Sequence, residues 1–144
     1  MKAEPIIIDR TYNASPEKVW KALTDREQMK KWYFDIAEFK PEVGFEFRFT
    51  GGTPEKKYLH ICKITEVVSG KKLAYSWRYD GVKGISSVTF EIVKEGNQTR
   101  VRLTHKGIDS FPEDDPNMKR ESFLKGWTHI IGTALKAFVE GATV

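Results

Sequence analysis

At 144 residues, with 40% apolar and 31% charged side chains and a net charge of +4, the chain has the size and composition of one globular domain spanning residues 1–144. Such a domain buries roughly 68–70% of the surface its unfolded form exposes. These values exclude a second domain of ordinary size and a low-complexity chain, and the single cysteine, Cys62, excludes an internal disulfide framework.

No apolar run approaches the ~20 residues of a membrane-spanning helix, and the three isoleucines after Pro5 are too few for a secretory signal. A cytoplasmic protein without membrane insertion is therefore expected. The lysine doublets Lys30-Lys31, Lys56-Lys57 and Lys71-Lys72 fall in different segments rather than on one aromatic-interleaved face. Their charge reads as solubility, and no nucleic-acid partner is expected.

In chain order, the first predicted element is a strand from Ile6 to Tyr12. A helix then starts with Ser15 as cap, Pro16 in the first turn and Glu17 at the positive end of the dipole, and Val19, Trp20 and Leu23 form its apolar face. Thr24-Asp25-Arg26-Glu27 has capping-box form, with Thr24 and Glu27 as the reciprocal pair, and predicts a second short helix ending near Trp32. From Phe34 to Ile108 the pattern is strand-like. Phe45, Phe47 and Phe49 alternate with polar residues, as do Leu73, Tyr75, Trp77 and Tyr79, then Val88, Phe90 and Ile92, then Val101, Leu103 and His105. Turn residues at Gly51-Gly52, Ser69-Gly70, Asp80-Gly81 and Gly96-Asn97 separate the runs and predict antiparallel neighbours.

Between Tyr58 and Val68 the parity of the apolar residues changes, which a bulge or burial on both faces would explain. The last helix is expected to start at Asp115-Pro116 and to run about 25 residues, about 37 Å, to Gly141. Its buried stripe is Phe123, Trp127, Ile130, Ile131, Ala134, Leu135 and Phe138. Gly126 and Gly132 cost this helix about 1 kcal/mol each relative to alanine, so each should have a packing reason. The pattern as a whole is α+β, a curved sheet gripping a helix, with room for a ligand between them.

Several segments, in this order, resemble one known family: Asn13-Ala14-Ser15-Pro16-Glu17-Lys18-Val19-Trp20, Leu23-Thr24-Asp25, Trp32, Leu73-Ala74-Tyr75-Ser76-Trp77, Leu103-Thr104-His105 and Gly126-Trp127. It is the family related to the activator of the heat-shock-protein ATPase, within the START-like, birch-pollen-allergen-like superfamily. The resemblance implies a helix-grip fold, in which a seven-stranded antiparallel curved sheet and two short helices enclose one long C-terminal helix, usually with an internal cavity. Relatives include lipid carriers, hormone receptors, polyketide cyclases, antibiotic-sequestering proteins and co-chaperones, so the fold alone leaves the activity open.

On this scaffold the candidate ligand-binding residues are Trp32 near the entrance, Phe47, Tyr75, Trp77, Phe90, Trp127 and Ile131 as walls, and His105 as a polar contact. His105 shares parity with Val101 and Leu103, so its ring should face inward. Either it is a satisfied core histidine or it orients a ligand or moves a proton. His60 and Cys62 could share a strand face, but without two further ligands at usable spacing no metal site is expected. There is no G-x-S-x-G elbow, P-loop or dinucleotide fingerprint, so neither a cofactor nor a catalytic residue is assigned. The expected partner is a small hydrophobic molecule, aromatic or acyl. A cyclase, hydratase or hydrolase using the same cavity is the second expectation, and an interaction protein acting on a chaperone ATPase is the third.

Overall fold

Segments of period two become strands and segments of helical period become helices in the computed structural model of the chain, which describes residues 5–33, 36, 38–52, 57–112 and 118–141. The strands are β1 (Ile6–Tyr12), β2 (Glu46–Gly52), β3 (Lys57–Val68), β4 (Lys72–Tyr79), β5 (Ser86–Glu95) and β6 (Gln98–Lys106). They form one antiparallel sheet in the order β1-β6-β5-β4-β3-β2. Six strands are found among the described residues, not the seven that the family resemblance implies. The segment 38–45 forms no strand: Pro41 lacks an N–H to give a ladder, and Gly44 turns the chain at φ 92°. Gly51 and Gly52, expected in a turn, instead extend β2 opposite Tyr58 and Lys57.

The parity change in β3 is a bulge. Pairing with β4 shifts register between Ile64 and Glu66, so Tyr58, His60, Cys62 and Ile64 face inward before it and Val67 lies opposite inward-facing Leu73 after it. Ile61 is also buried, on the other face, so both explanations hold along this strand. On the outer face, charges of alternating sign line up across five strands. Asp9 lies opposite Arg102, Arg102 opposite Glu91 and Glu91 opposite Lys72, which pairs with Glu66 at 3.2 Å. Such exposed pairs are worth little singly, but they keep this face wet.

Helix α1 (Pro16–Thr24) starts as its sequence predicts, with Ser15 Oγ accepting the Lys18 N–H at 3.2 Å and Pro16 in the first turn. Helix α2 (Arg26–Trp32) starts one residue later than the capping-box reading. Asp25, not Thr24, is the cap and accepts the Glu27 N–H at 3.0 Å, while the Thr24 hydroxyl donates back to the Trp20 carbonyl and closes α1. A carboxylate in place of a hydroxyl is the stronger acceptor at the positive end of a helix, which explains the shift.

The C-terminal helix is one continuous rod in three parts: α3 (Arg120–His129), a π-helical turn (Ile130–Ala134) and α4 (Leu135–Gly141). Asp115 and Pro116 lie outside the described residues. The α-helix follows Lys119, which offers no side-chain cap. Its buried residues are Phe123, Trp127, Ile131, Leu135 and Val139, spaced by four. At 3.6 residues per turn, a step of four drifts by about 40° each time, so a straight α-helix would carry this stripe off the sheet. The π turn absorbs the drift. Leu135 N–H bonds the Ile130 carbonyl five residues back, and the Tyr12 hydroxyl donates to the carbonyl of Ile131. For the same reason Val139 takes the innermost position that the α-helical reading assigned to Phe138, which is only partly buried.

The two helix glycines differ. Gly132 sits under the Arg10 guanidinium, where an added Cβ would meet Nε at 3.4 Å. That is an ordinary contact with a flexible side chain, and at Gly126 a Cβ would meet nothing within 4 Å. Gly126→Ala is accordingly expected to stabilise the protein by up to about 1 kcal/mol, read as a raised urea midpoint at unchanged slope.

Candidate functional site

The space between sheet and C-terminal helix is filled by aromatic rings drawn from separate elements. Trp77, on the inner face of β4, is the hub. Its ring centroid lies 5.8 Å from Phe49, 5.0 Å from His60, 5.5 Å from His105 and 5.6 Å from Trp127. Phe47 packs edge-on against Tyr75 at 5.0 Å, and Phe90 lies 6.1 Å from Tyr75 and from Trp127. These arrangements are the tilted and T-shaped ones that ring quadrupoles favour.

His105 is buried completely, and both of its nitrogens are engaged. The Trp127 indole N–H donates to Nδ1 at 2.9 Å, so the proton is on Nε2 and is donated to Ser86 Oγ at 2.8 Å; Ser86 in turn donates to the Trp77 carbonyl at 3.0 Å. Burial pushes its pKa down to about 3. It is a neutral, satisfied core histidine whose partners are Trp127 and Ser86. It presents no free nitrogen to a substrate and is a poor proton acceptor at neutral pH. His60 is its counterpart across Trp77: it stacks on Phe49 at 4.5 Å, its Nδ1–H donates to the Tyr58 carbonyl at 3.1 Å, and burial pushes its pKa down to about 4. His60 and Cys62 do share the inner face. Burial holds the Cys62 thiol protonated, and among the described residues no three His, Cys, Asp or Glu side chains converge.

A second cluster lies where α2 ends. Trp32 is buried and its indole N–H donates to the Ala22 carbonyl at 2.8 Å, which fixes the ring. Tyr33, only partly buried, stacks on Trp32 at 4.9 Å and lies 6.2 Å from Trp127 in a nearly parallel plane. Its hydroxyl meets that of Tyr75 at 2.8 Å. Burial pushes both phenols well above their ordinary range, so both stay protonated and one donates to the other. A seam runs here between Leu23, Met29, Trp32, Tyr33, Leu73, Tyr75 and Phe90, and it is too tight to admit a water molecule. The open space expected from sequence is therefore absent at this seam.

Of the eight residues predicted from sequence, Trp32, Tyr75 and Phe90 line the seam. Trp77, His105 and Trp127 form the hydrogen-bonded cluster beside it, Phe47 backs Tyr75, and Ile131 is buried under β1 with its carbonyl bonded to Tyr12. Sequence reasoning missed Tyr33 and Ser86, and weighed His60 only beside Cys62. Tyr33 lies past a helix end, where no periodicity assigns a face; its one signal is the aromatic run Trp32-Tyr33-Phe34.

The family model for Activator of Hsp90 ATPase homolog 1-like protein matches residues 13–140. The Bacillus halodurans protein BH1534 shares 28% identity and a TM-score of 0.75, over 96% of this chain and 99% of that one. The Aha1 dimer from Colwellia psychrerythraea shares 24% identity and a TM-score of 0.71, over 99% and 100%. DynU16, a protein of the dynemicin biosynthetic locus, has the same fold at 16% identity and a TM-score of 0.78, with this chain covering 48% of its length. No curated protein matches the sequence. Among the described residues no helix is long and apolar enough to cross a membrane.

Proposed function

This chain belongs to the Activator of Hsp90 ATPase homolog 1-like family, and from that footing we propose that it binds a small, mostly apolar molecule, aromatic or acyl, between the sheet and the C-terminal helix. The observation that carries this reading is the aromatic enclosure around the paired hydroxyls of Tyr33 and Tyr75, one wall of which, Tyr33, is partly exposed and belongs to no helix or strand. A core that needs only to be stable has little use for two phenol hydroxyls bonded to each other deep among rings. A binding site has such a use, because apolar walls supply affinity and a few placed polar groups supply orientation.

In this reading Trp32, Tyr75, Phe90 and Trp127 meet the ligand, while Phe47, Trp77, Ile131 and His105 hold those walls in place. The experiment is titration with a library of aromatic and acyl-chain probes, following tryptophan fluorescence, with native mass spectrometry of the freshly purified protein. Saturable quenching by at least one probe class is expected. A silent library against folded protein overturns the reading.

The family description favours a second reading, stimulation of a chaperone ATPase through the outer surface. Hsp90 turnover measured with and without excess of this protein decides between them. Stimulation by a protein that binds no probe would replace the ligand-binding reading.

A further inference from the structure

The apolar side of the C-terminal helix carries two rows where one would do. Ile131, Leu135 and Val139 are buried, and beside them Ile130, Ala134 and Phe138, each one position earlier, are partly buried against the same core. The observed register depends on the π turn, which holds one residue more than an α turn. Were that turn α-helical, the chain beyond it would rotate by about 100° and slide by about 1.5 Å. Ala134 would then take the place of Leu135, and Phe138 that of Val139, so one contact shrinks as the other grows. Either register buries an apolar row. From this we propose that the segment Leu135–Gly141 is a two-register element, and that the Tyr12 hydroxyl is the pin that holds it in the π register.

A π turn leaves a carbonyl without its usual donor. The Leu135 N–H, which an α-helix would give to the Ile131 carbonyl, goes to Ile130 instead. Ile131 is buried, so an unpaired acceptor there would penalise the π register alone. The Tyr12 hydroxyl removes that penalty by donating to it from β1. Tyr12 is itself buried on a strand paired with β6 along its whole length, and burial holds its phenol protonated. A second contact across the same joint, from the Asn13 N–H to the Glu140 carboxylate at 2.8 Å, belongs to this register, whereas the Lys136–Glu140 pair lies within α4 and travels with it. Because α4 packs on α1 and α2, a shift changes the surface on which those helices rest. Whatever binds one register better draws the helix into it.

The test removes the hydroxyl and follows the two rows separately. Ala134→Cys and Val139→Cys, conservative in either register, are made singly in the full-length wild type, in Tyr12→Phe, and in both of these with Thr133 deleted. Their reaction with a soluble maleimide is followed by mass spectrometry, and buried Cys62 reports global unfolding in the same molecule. In the wild type position 134 should react about tenfold faster than position 139. Tyr12→Phe should reverse that order while Cys62 stays protected. Deleting Thr133, an exposed residue of the turn, takes out the extra residue, so that α4 keeps its place on a plain α-helix. In that background Tyr12→Phe should leave the wild-type order intact. A folded Tyr12→Phe that keeps the wild-type order overturns the proposal, as does a reversal that deletion of Thr133 fails to cure. Should Tyr12→Phe not fold, recovery of folding on deletion of Thr133 supports the pin, and no recovery overturns it.

Discussion

Below about pH 6.5 this protein is expected to lose stability steeply, on the order of 3 kcal/mol per pH unit, because two neutral histidines are buried on either side of Trp77. In the unfolded chain each binds a proton with a pKa near 6.5, whereas in the folded protein burial pushes His60 down to about 4 and His105 to about 3. Between these values the unfolded state holds more protons than the folded one, so acid favours unfolding. Each group contributes about 1.4 kcal/mol per pH unit. The effect is absent above about pH 7, begins as pH falls through 6.5, and levels off near pH 4 for His60 and near pH 3 for His105. Summed over that window it is on the order of 5–10 kcal/mol, as large as the whole stability of a typical domain. Urea titrations at half-unit steps from pH 7.5 to 4.5 measure it directly. His60→Phe, which keeps a ring against Phe49, should halve the slope and shift acid unfolding downward. A flat unfolding free energy between pH 7 and 5 would show that both of these rings charge inside the fold, and half the expected slope that one of them does.

The second large effect is expected at Trp127. Its ring touches Tyr33, Trp77, Phe90 and His105, and its N–H is the only donor recorded for His105 Nδ1 among the described residues. Trp127→Ala should cost about 3–5 kcal/mol from lost packing and the cavity left behind. Unpairing Nδ1 adds to this unless water enters. Trp127→Phe separates the two contributions: it keeps most of the ring contact and removes the N–H, so its cost should be only about 1–3 kcal/mol. Trp127→Phe should therefore begin its acid unfolding from a lower baseline. Urea midpoints at pH 7.5 and 5 read both quantities. Equal costs for the alanine and phenylalanine variants at pH 7.5 would mean that the hydrogen bond, not the packing, dominates at this position.

Together these two expectations describe a core in which aromatic packing and a single hydrogen-bonded relay, Trp127 to His105 to Ser86 to the Trp77 carbonyl, fix how β4, β5, β6 and α3 sit on one another.

The sequence by itself determined the alternation of inner and outer faces, because a strand's side chains have a period of two and register slips are costly when one face is buried. Thus the inward positions of Phe47, Tyr75, Trp77, Phe90 and His105, the cap and proline that start α1, and the family all follow from short-range pattern. Whatever depended on a partner distant in sequence did not. The π turn that replaces Phe138 by Val139 arises because the stripe must track a sheet whose curvature no local pattern encodes. The choice of Asp25 over Thr24 depends on where α1 ends. Ser86 and Trp127 become partners of His105 only when β5 and α3 are brought to β6, and Tyr33 acquires a face only when α2 docks against Trp127 and Tyr75. Periodicity reports which side of an element is apolar; the volume left between two apolar sides depends on how their rings interlock, and that is decided by packing in three dimensions.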